Sequence, residues 1–112
     1  MPSKRLKQIN ALIKDELGAI ILKEVEFPSG YLVTISKVET SADLKYAAVW
    51  LSILPTKFQL EAKNILTKQK GNLQKILNTR SKTRNTPQIQ FKIDESEERA
   101  ERISRLLDTI KK

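Results

Sequence analysis

The residues of greatest chemical consequence in this chain of 112 residues are its cations, and they are unevenly spread. Residues 51–92 hold nine Lys and Arg against one acid, Glu61. Residues 1–50 hold seven against six, and residues 93–112 hold five against six. The formal net charge of +8 therefore resides in the middle segment. A stretch so lopsided repels itself unless it meets a polyanion. Lys68, Lys70 and Lys75 flank Gly71, and Arg80, Lys82 and Arg84 follow. Expected helix starts at Thr56 and after Gly71 would add backbone N–H donors for phosphate oxygens. Such a surface reads the shape and charge of folded RNA rather than its sequence.

Other chemistries find no support. The chain has no His and no Cys, which removes thiolate metal sites, disulfides and His-based relays. Its acids are scattered, and the Glu95, Glu97 and Glu98 group suits a helix start by its dipole alone. Three glycines, Gly18, Gly30 and Gly71, draw neither a Walker loop nor a dinucleotide fingerprint. They also lack the Gly-x-x-Gly clamp of ordinary KH domains. Trp50, Tyr46 and Phe91 fall on expected strands, where core packing is the expectation and base stacking is not. No membrane partner, small-molecule substrate or cofactor is indicated. The apolar run Ala47–Leu54 is far short of the roughly 20 residues a spanning helix needs. The N-terminal stretch carries Asp15 and Glu16 where a secretory core would be uncharged, so a cytoplasmic protein is expected.

The elements that must position these cations follow from periodicity. Leu6, Ile9, Ile13, Leu17, Ile20 and Ile21 recur at helical steps over about residues 4–22, with Ser3 as the N-cap. Gly18 inside this helix suggests close packing. Tyr31–Val38 and Leu44–Ile53 read as strands joined in a hairpin. Apolar residues on both faces of the second make it central. Pro55 opens a helix striped by Phe58, Ala62, Ile65 and Leu66. The stripe resumes at Leu73, Ile76 and Leu77, which reads as two helical pieces meeting at Gly71. Ile89, Phe91 and Ile93 mark a third strand; Asp94 then starts a last helix striped by Ala100, Ile103, Leu107 and Ile110. The order α-β-β-α-α-β-α in one domain, 1–112, is an α+β layer fold with helices over one face of a three-stranded sheet.

With these elements placed, the chain resembles the bacterial ribosome-binding factor A family from about Ile9 to Ile110. The resemblance rests on Glu16-Leu17 with Ile20-Ile21, Val33-Thr34-Ile35 with Val38-Glu39, and the turn Ser41-Ala42-Asp43-Leu44. Gly71 with Leu73, Ile76 and Leu77 is similar to the family's kinked helix pair. Arg84, Pro87, Phe91 and Asp94 match the last strand, and Arg102-Ile103 with Leu106-Leu107 the terminal helix. The departures are Gln69 for a usual Ala, Phe27-Pro28-Ser29 for Asp-Pro-Arg, and Gln8 and Gln74 for usual arginines. Arg5, Lys7 and Lys75 are the neighbouring bases.

The resemblance implies a type II KH-like fold with a helix kink at Gly71 in place of the glycine clamp. It implies transient binding to the immature small ribosomal subunit, at its rRNA near the neck and decoding region. A role in late maturation, rRNA processing and growth at low temperature goes with it. The expected RNA-binding set is Arg5, Lys7, Lys68, Lys70, Gly71, Lys75, Arg80, Lys82 and Arg84, in a non-enzymatic monomer without metal or cofactor. A general KH-like nucleic-acid binder without a ribosomal role is the alternative, and an RNA-modifying enzyme a weaker one.

Overall fold

Periodic apolar side chains in the N-terminal stretch close into one buried stripe. Ile13, Leu17, Ile20 and Ile21 line α1, the helix Lys4–Glu24. The computed structural model describes residues 4–80 and 86–95. After α1 come β1 (Leu32–Thr40), β2 (Tyr46–Leu54), a 3-10 turn at Thr56–Phe58, α2 (Gln59–Arg80) and β3 (Gln88–Ile93). The expected last helix lies outside the described residues apart from its first two positions. The sheet order is β1-β2-β3, with β1 antiparallel and β3 parallel to β2. The parallel pairing follows because α2 carries the chain back along the sheet before β3 begins. This α+β arrangement agrees with the KH-like expectation.

The core lies between the helices and one face of the sheet. Ala47, Val49, Leu51 and Ile53 alternate along β2 and are all fully buried. They meet Leu17 and Ile20 from α1, and Ala62, Leu66 and Leu73 from α2, also fully buried. Each such Leu or Ile contributes roughly 1.5–3 kcal/mol by leaving water. On β1 a bulge at Ser36 shifts the register between Ile35 and Lys37. It changes the alternation that starts with Val33 and Ile35, so Val38 rather than Lys37 turns inward. Ser36 donates its hydroxyl to the Trp50 carbonyl at 3.2 Å, tying the bulge to the central strand.

The β1–β2 turn is held by its own side chains. The Ser41 hydroxyl donates to Asp43 Oδ1 at 2.6 Å, and the Lys45 N–H donates to the same oxygen at 3.1 Å. Ser41 Oγ accepts from the Tyr46 N–H at 3.1 Å. Leu44 takes a left-handed φ of 63° to close the turn. The Ser41 hydroxyl, followed by the Lys45 N–H, holds the Asp43 carboxyl below its ordinary value.

Three expectations are corrected. The chain does not break into two pieces at Gly71: α2 is one helix of 22 residues, because the stripe keeps its phase across that point. The burial does lapse, however. Thr67–Asn72 contains no buried side chain, and Gln69, in phase with the stripe, is exposed. Thr67 donates its hydroxyl to the Lys63 carbonyl at 2.8 Å, a back-bond that bends helices. Gly18 is not a close-packing position, since a Cβ built there meets nothing within 4 Å. Tyr46 and Trp50 are not core residues: their strand face is the one turned from the helices, and of the three strand aromatics only Phe91 is buried.

Two outcomes follow for stability. Leu66→Ala, in the fully buried cluster, should lower the unfolding free energy by about 2–5 kcal/mol in chemical denaturation. Because Asp43 is depressed in the folded state, its stabilising contribution is present above the ordinary carboxylate value and is lost as pH falls through the folded one. Asp43→Asn, which cannot titrate, should therefore show a shallower fall of Tm on acidification than the parent chain.

Candidate nucleic-acid interface

Helical spacing sorts the cations of α2 into two rows. Lys68 and Lys75 lie seven positions apart, about two turns, on the ridge opposite the buried stripe, with Gly71 between them. All three are exposed. Lys70 sits on the flank of the helix, half-buried, with Lys63 seven positions before it. Lys63 was missed in the sequence, and its phase with Lys70 is the signal that finds it. Among the described residues none of these lysines has an acidic partner. The segment's one acid, Glu61, is engaged elsewhere: it accepts the Tyr31 hydroxyl, and Tyr31 stacks on Phe58 at 4.2 Å. Desolvation, reinforced by Glu61, pushes the Tyr31 hydroxyl up to about 12.

A second group forms at one end of the molecule. Asn10 Oδ1 accepts the Thr40 N–H at 2.9 Å, which places the first half of α1 beside the end of β1. The Lys45 carbonyl accepts the Gln88 N–H at 2.9 Å, setting the start of β3 beside that same turn. Gln74 then joins α2 to it. Its amide oxygen accepts the Ile89 N–H at 2.8 Å, and its amide nitrogen donates to the Pro87 carbonyl at 3.0 Å. The first turns of α1, the β1–β2 turn, Gln74 of α2 and the start of β3 thus share one end. Arg5 and Lys7 precede Asn10 on α1 and Lys45 ends the turn, whereas Arg80, at the end of α2, reaches the middle of α1. Arg80 lies 3.6 Å from Glu16, an exposed, loose pair worth little. Lys82 and Arg84 lie outside the described residues.

One of the two expected N–H donor sites is corrected. Continuous helix through Gly71 leaves no helix start after it, whereas at Thr56 a 3-10 turn leads directly into α2, a helix start where one is expected. What Gly71 offers is an exposed backbone with open space where a Cβ would stand. Gln74, in place of an arginine, serves as a backbone clamp rather than a cation. No group of acids able to hold a metal occurs among the described residues, and no described helix is long and apolar enough to cross a membrane. A groove of about 500 Å3 between α1 and β1 is lined chiefly by apolar side chains such as Leu22, Val25, Phe27 and Val33, with Lys14 and Asp15 as its charged lining.

The geometry is that of a small α+β domain with a basic helix ridge whose one acid, Glu61, at the start of the same row, accepts the Tyr31 hydroxyl. Comparison with known proteins supplies the rest. The family model for ribosome-binding factor A matches residues 5–107. The chain belongs to the ribosome-binding factor A family. The family's factor from Thermomicrobium roseum is 35% identical over 111 residues, covering 98% of this chain and 86% of that one. That from Thermodesulfovibrio yellowstonii is also 35% identical over 111 residues, covering 99% and 94%. The crystal structure of ribosome-binding factor A from Thermus thermophilus superposes with a TM-score of 0.70 at 23% identity, covering 79% of this chain and 93% of that one. A Thermus thermophilus ribosome-binding factor A homology model fitted into the cryo-EM map of a 30S complex gives 0.64 at 22% identity, covering 77% and 91%. In this member of the ribosome-binding factor A family, Ser41 and Asp43 of the Ser-x-Asp-Leu turn build the hydrogen bonds that set β2.

Gly71→Ala should be accepted without a clash and should raise the unfolding free energy by about 1 kcal/mol in chemical denaturation, since alanine favours helix. A loss of stability would show that the glycine relieves strain in the helix.

Proposed function

We propose that the protein is a non-enzymatic assembly factor that binds the immature small ribosomal subunit and its rRNA, and assists late maturation and rRNA processing in the cytoplasm. The observation that carries this reading is the ridge Lys68–Gly71–Lys75, exposed and without acidic partners on a helix whose one acid is held by Tyr31. Family membership supports it, and so does the 30S complex of the Thermus relative.

In this reading the ridge lies along rRNA phosphates, with Lys70 on its flank. Arg5, Lys7 and Arg80, with Lys82 and Arg84 following Arg80 in the chain, extend the contact. The bare backbone at Gly71 lets a phosphate approach the helix more closely than a side chain would. Phosphate contacts of this kind position the protein without reading bases. Assistance to maturation then needs only a higher affinity for one rRNA conformation than for another. No covalent step is involved, and no cofactor, small molecule or second copy of the chain is required.

Co-sedimentation with immature small, mature small and large subunits at two salt concentrations tests the proposal. Selective binding to small subunits that survives moderate salt is the expected outcome. Lys68→Glu with Lys75→Glu should weaken it and lower the log–log salt slope by about two, one for each lost phosphate contact. Lys82→Glu with Arg84→Glu should act in the same direction. Equal, salt-labile binding to every particle would instead mark a general nucleic-acid binder.

A further inference from the structure

The sheet face turned away from the helices has a composition that the ridge does not explain. Across β1, β2 and β3 its rows read Glu39–Ala48–Gln90 and Lys37–Trp50–Lys92, with Tyr46 beside Gln88 at one end. Tyr46 is 47% exposed, and Lys37, Gln88, Gln90 and Lys92 are exposed as well. Trp50 is half-buried, because lysines from both neighbouring strands lie over it: Lys37 Nζ is 4.9 Å and Lys92 Nζ 5.5 Å from the ring centroid. Its indole N–H is shielded and has no acceptor. The one acid on these rows, Glu39, is held by Lys37 at 3.1 Å.

We propose that this face is a second nucleic-acid contact, separate from α2, on which unpaired bases of single-stranded RNA stack on Tyr46 and Trp50 while Lys37 and Lys92 hold the adjoining phosphates. The proposal rests on the reading of the protein as an RNA binder. Three features select this occupant. Aromatic rings on a central strand, flanked by cations on both neighbours, suit a π-faced polyanion, and every base has a π-face. Tyr46 and Trp50 are four residues apart on one strand, about 13 Å, so they seat separate bases rather than one. The surrounding Gln88 and Gln90 amides can pair with exposed base edges, which a duplex hides. The lysines over Trp50 are long and flexible. Their transfer to phosphates uncovers the ring face and the unpaired indole N–H together. Duplex rRNA on the α2 ridge and a neighbouring single strand on the sheet would then be held at once, one on each side of the domain.

Trp50 is the chain's sole tryptophan, so its fluorescence reports this face directly. The full chain is titrated with a short oligoadenylate, an RNA duplex of equal length and polyglutamate. Expected is quenching of Trp50 and protection from acrylamide by the oligoadenylate alone. Tyr46→Ser, an exposed position that leaves the reporter in place, should weaken oligoadenylate binding roughly tenfold. Lys37→Gln with Lys92→Gln should weaken it and flatten its salt dependence. Lys68→Glu with Lys75→Glu should lower duplex and small-subunit binding but leave the oligoadenylate quench intact, so the two readings fail separately. The proposal is overturned by oligoadenylate binding without quenching, by an unchanged affinity in Tyr46→Ser, or by equal quenching with polyglutamate, which would mark an acidic-peptide surface. It is also overturned if Lys68→Glu with Lys75→Glu abolishes the quench, or if Trp50 in the free full chain is already inaccessible to acrylamide because the chain covers it.

Discussion

Four side chains on one face of β2, Ala47, Val49, Leu51 and Ile53, are wholly withdrawn from water, and the other elements take their places from that requirement. A central strand can hide one face completely only if something apolar lies along its length. Here α1 supplies Leu17 and Ile20, and α2 supplies Leu66 and Leu73. With two antiparallel helices on that face, the other face of the sheet is left with its alternate residues, among them Tyr46 and Trp50. The bulge at Ser36 belongs to the same economy of space, since without it Val38 would turn outward and Lys37 inward. Burial of a single strand face thus decides which residues of β1 and β3 are available for anything else.

The same packing shapes the basic helix. Apolar anchors at Ala62 and Leu66, then at Leu73 and Leu77, hold α2 at two places and leave Thr67–Asn72 between them without a buried side chain. The polar middle is therefore free to carry charge on its flank as well as its ridge. That charge is unbalanced because α2 carries Lys63, Lys68, Lys70, Lys75 and Arg80 against Glu61 alone. A glycine at the centre adds no side chain to the ridge. The helix is continuous from Gln59 to Arg80, so its middle presents side-chain charge and open backbone rather than a helix start.

Hydrogen bonds from polar side chains decide how the ends meet. Asn10 joins α1 to β1, Ser41 and Asp43 close the hairpin turn, and Gln74 joins α2 to the start of β3. Asn10 and Gln74 satisfy part-buried backbone groups that would otherwise sit unpaired at a cost comparable to a lost hydrogen bond, while the Ser41–Asp43 turn is exposed. Their joint effect is to bring α1, the hairpin turn and the start of β3 together although they are far apart in sequence.

Sequence alone determined the strong periodic elements: α1, the hairpin with β2 at its centre, and a short third strand. It also determined the segregation of charge and the family resemblance, because these depend on local spacing and composition. Lys68 and Lys75 were legible as a cluster for the same reason. The tertiary structure decided what spacing leaves open. Apolar alternation on both faces of β2 cannot say which face the helices cover, so Tyr46 and Trp50 were expected in the core and lie outside it. A glycine within an unbroken phase is compatible with a break or with continuity, and packing on both sides of Gly71 chose continuity. The parallel pairing of β3, the clamp by Gln74 and the pairing of Glu61 with Tyr31 join residues distant in the chain. Such contacts are set by how elements meet across the core, and no local pattern records them.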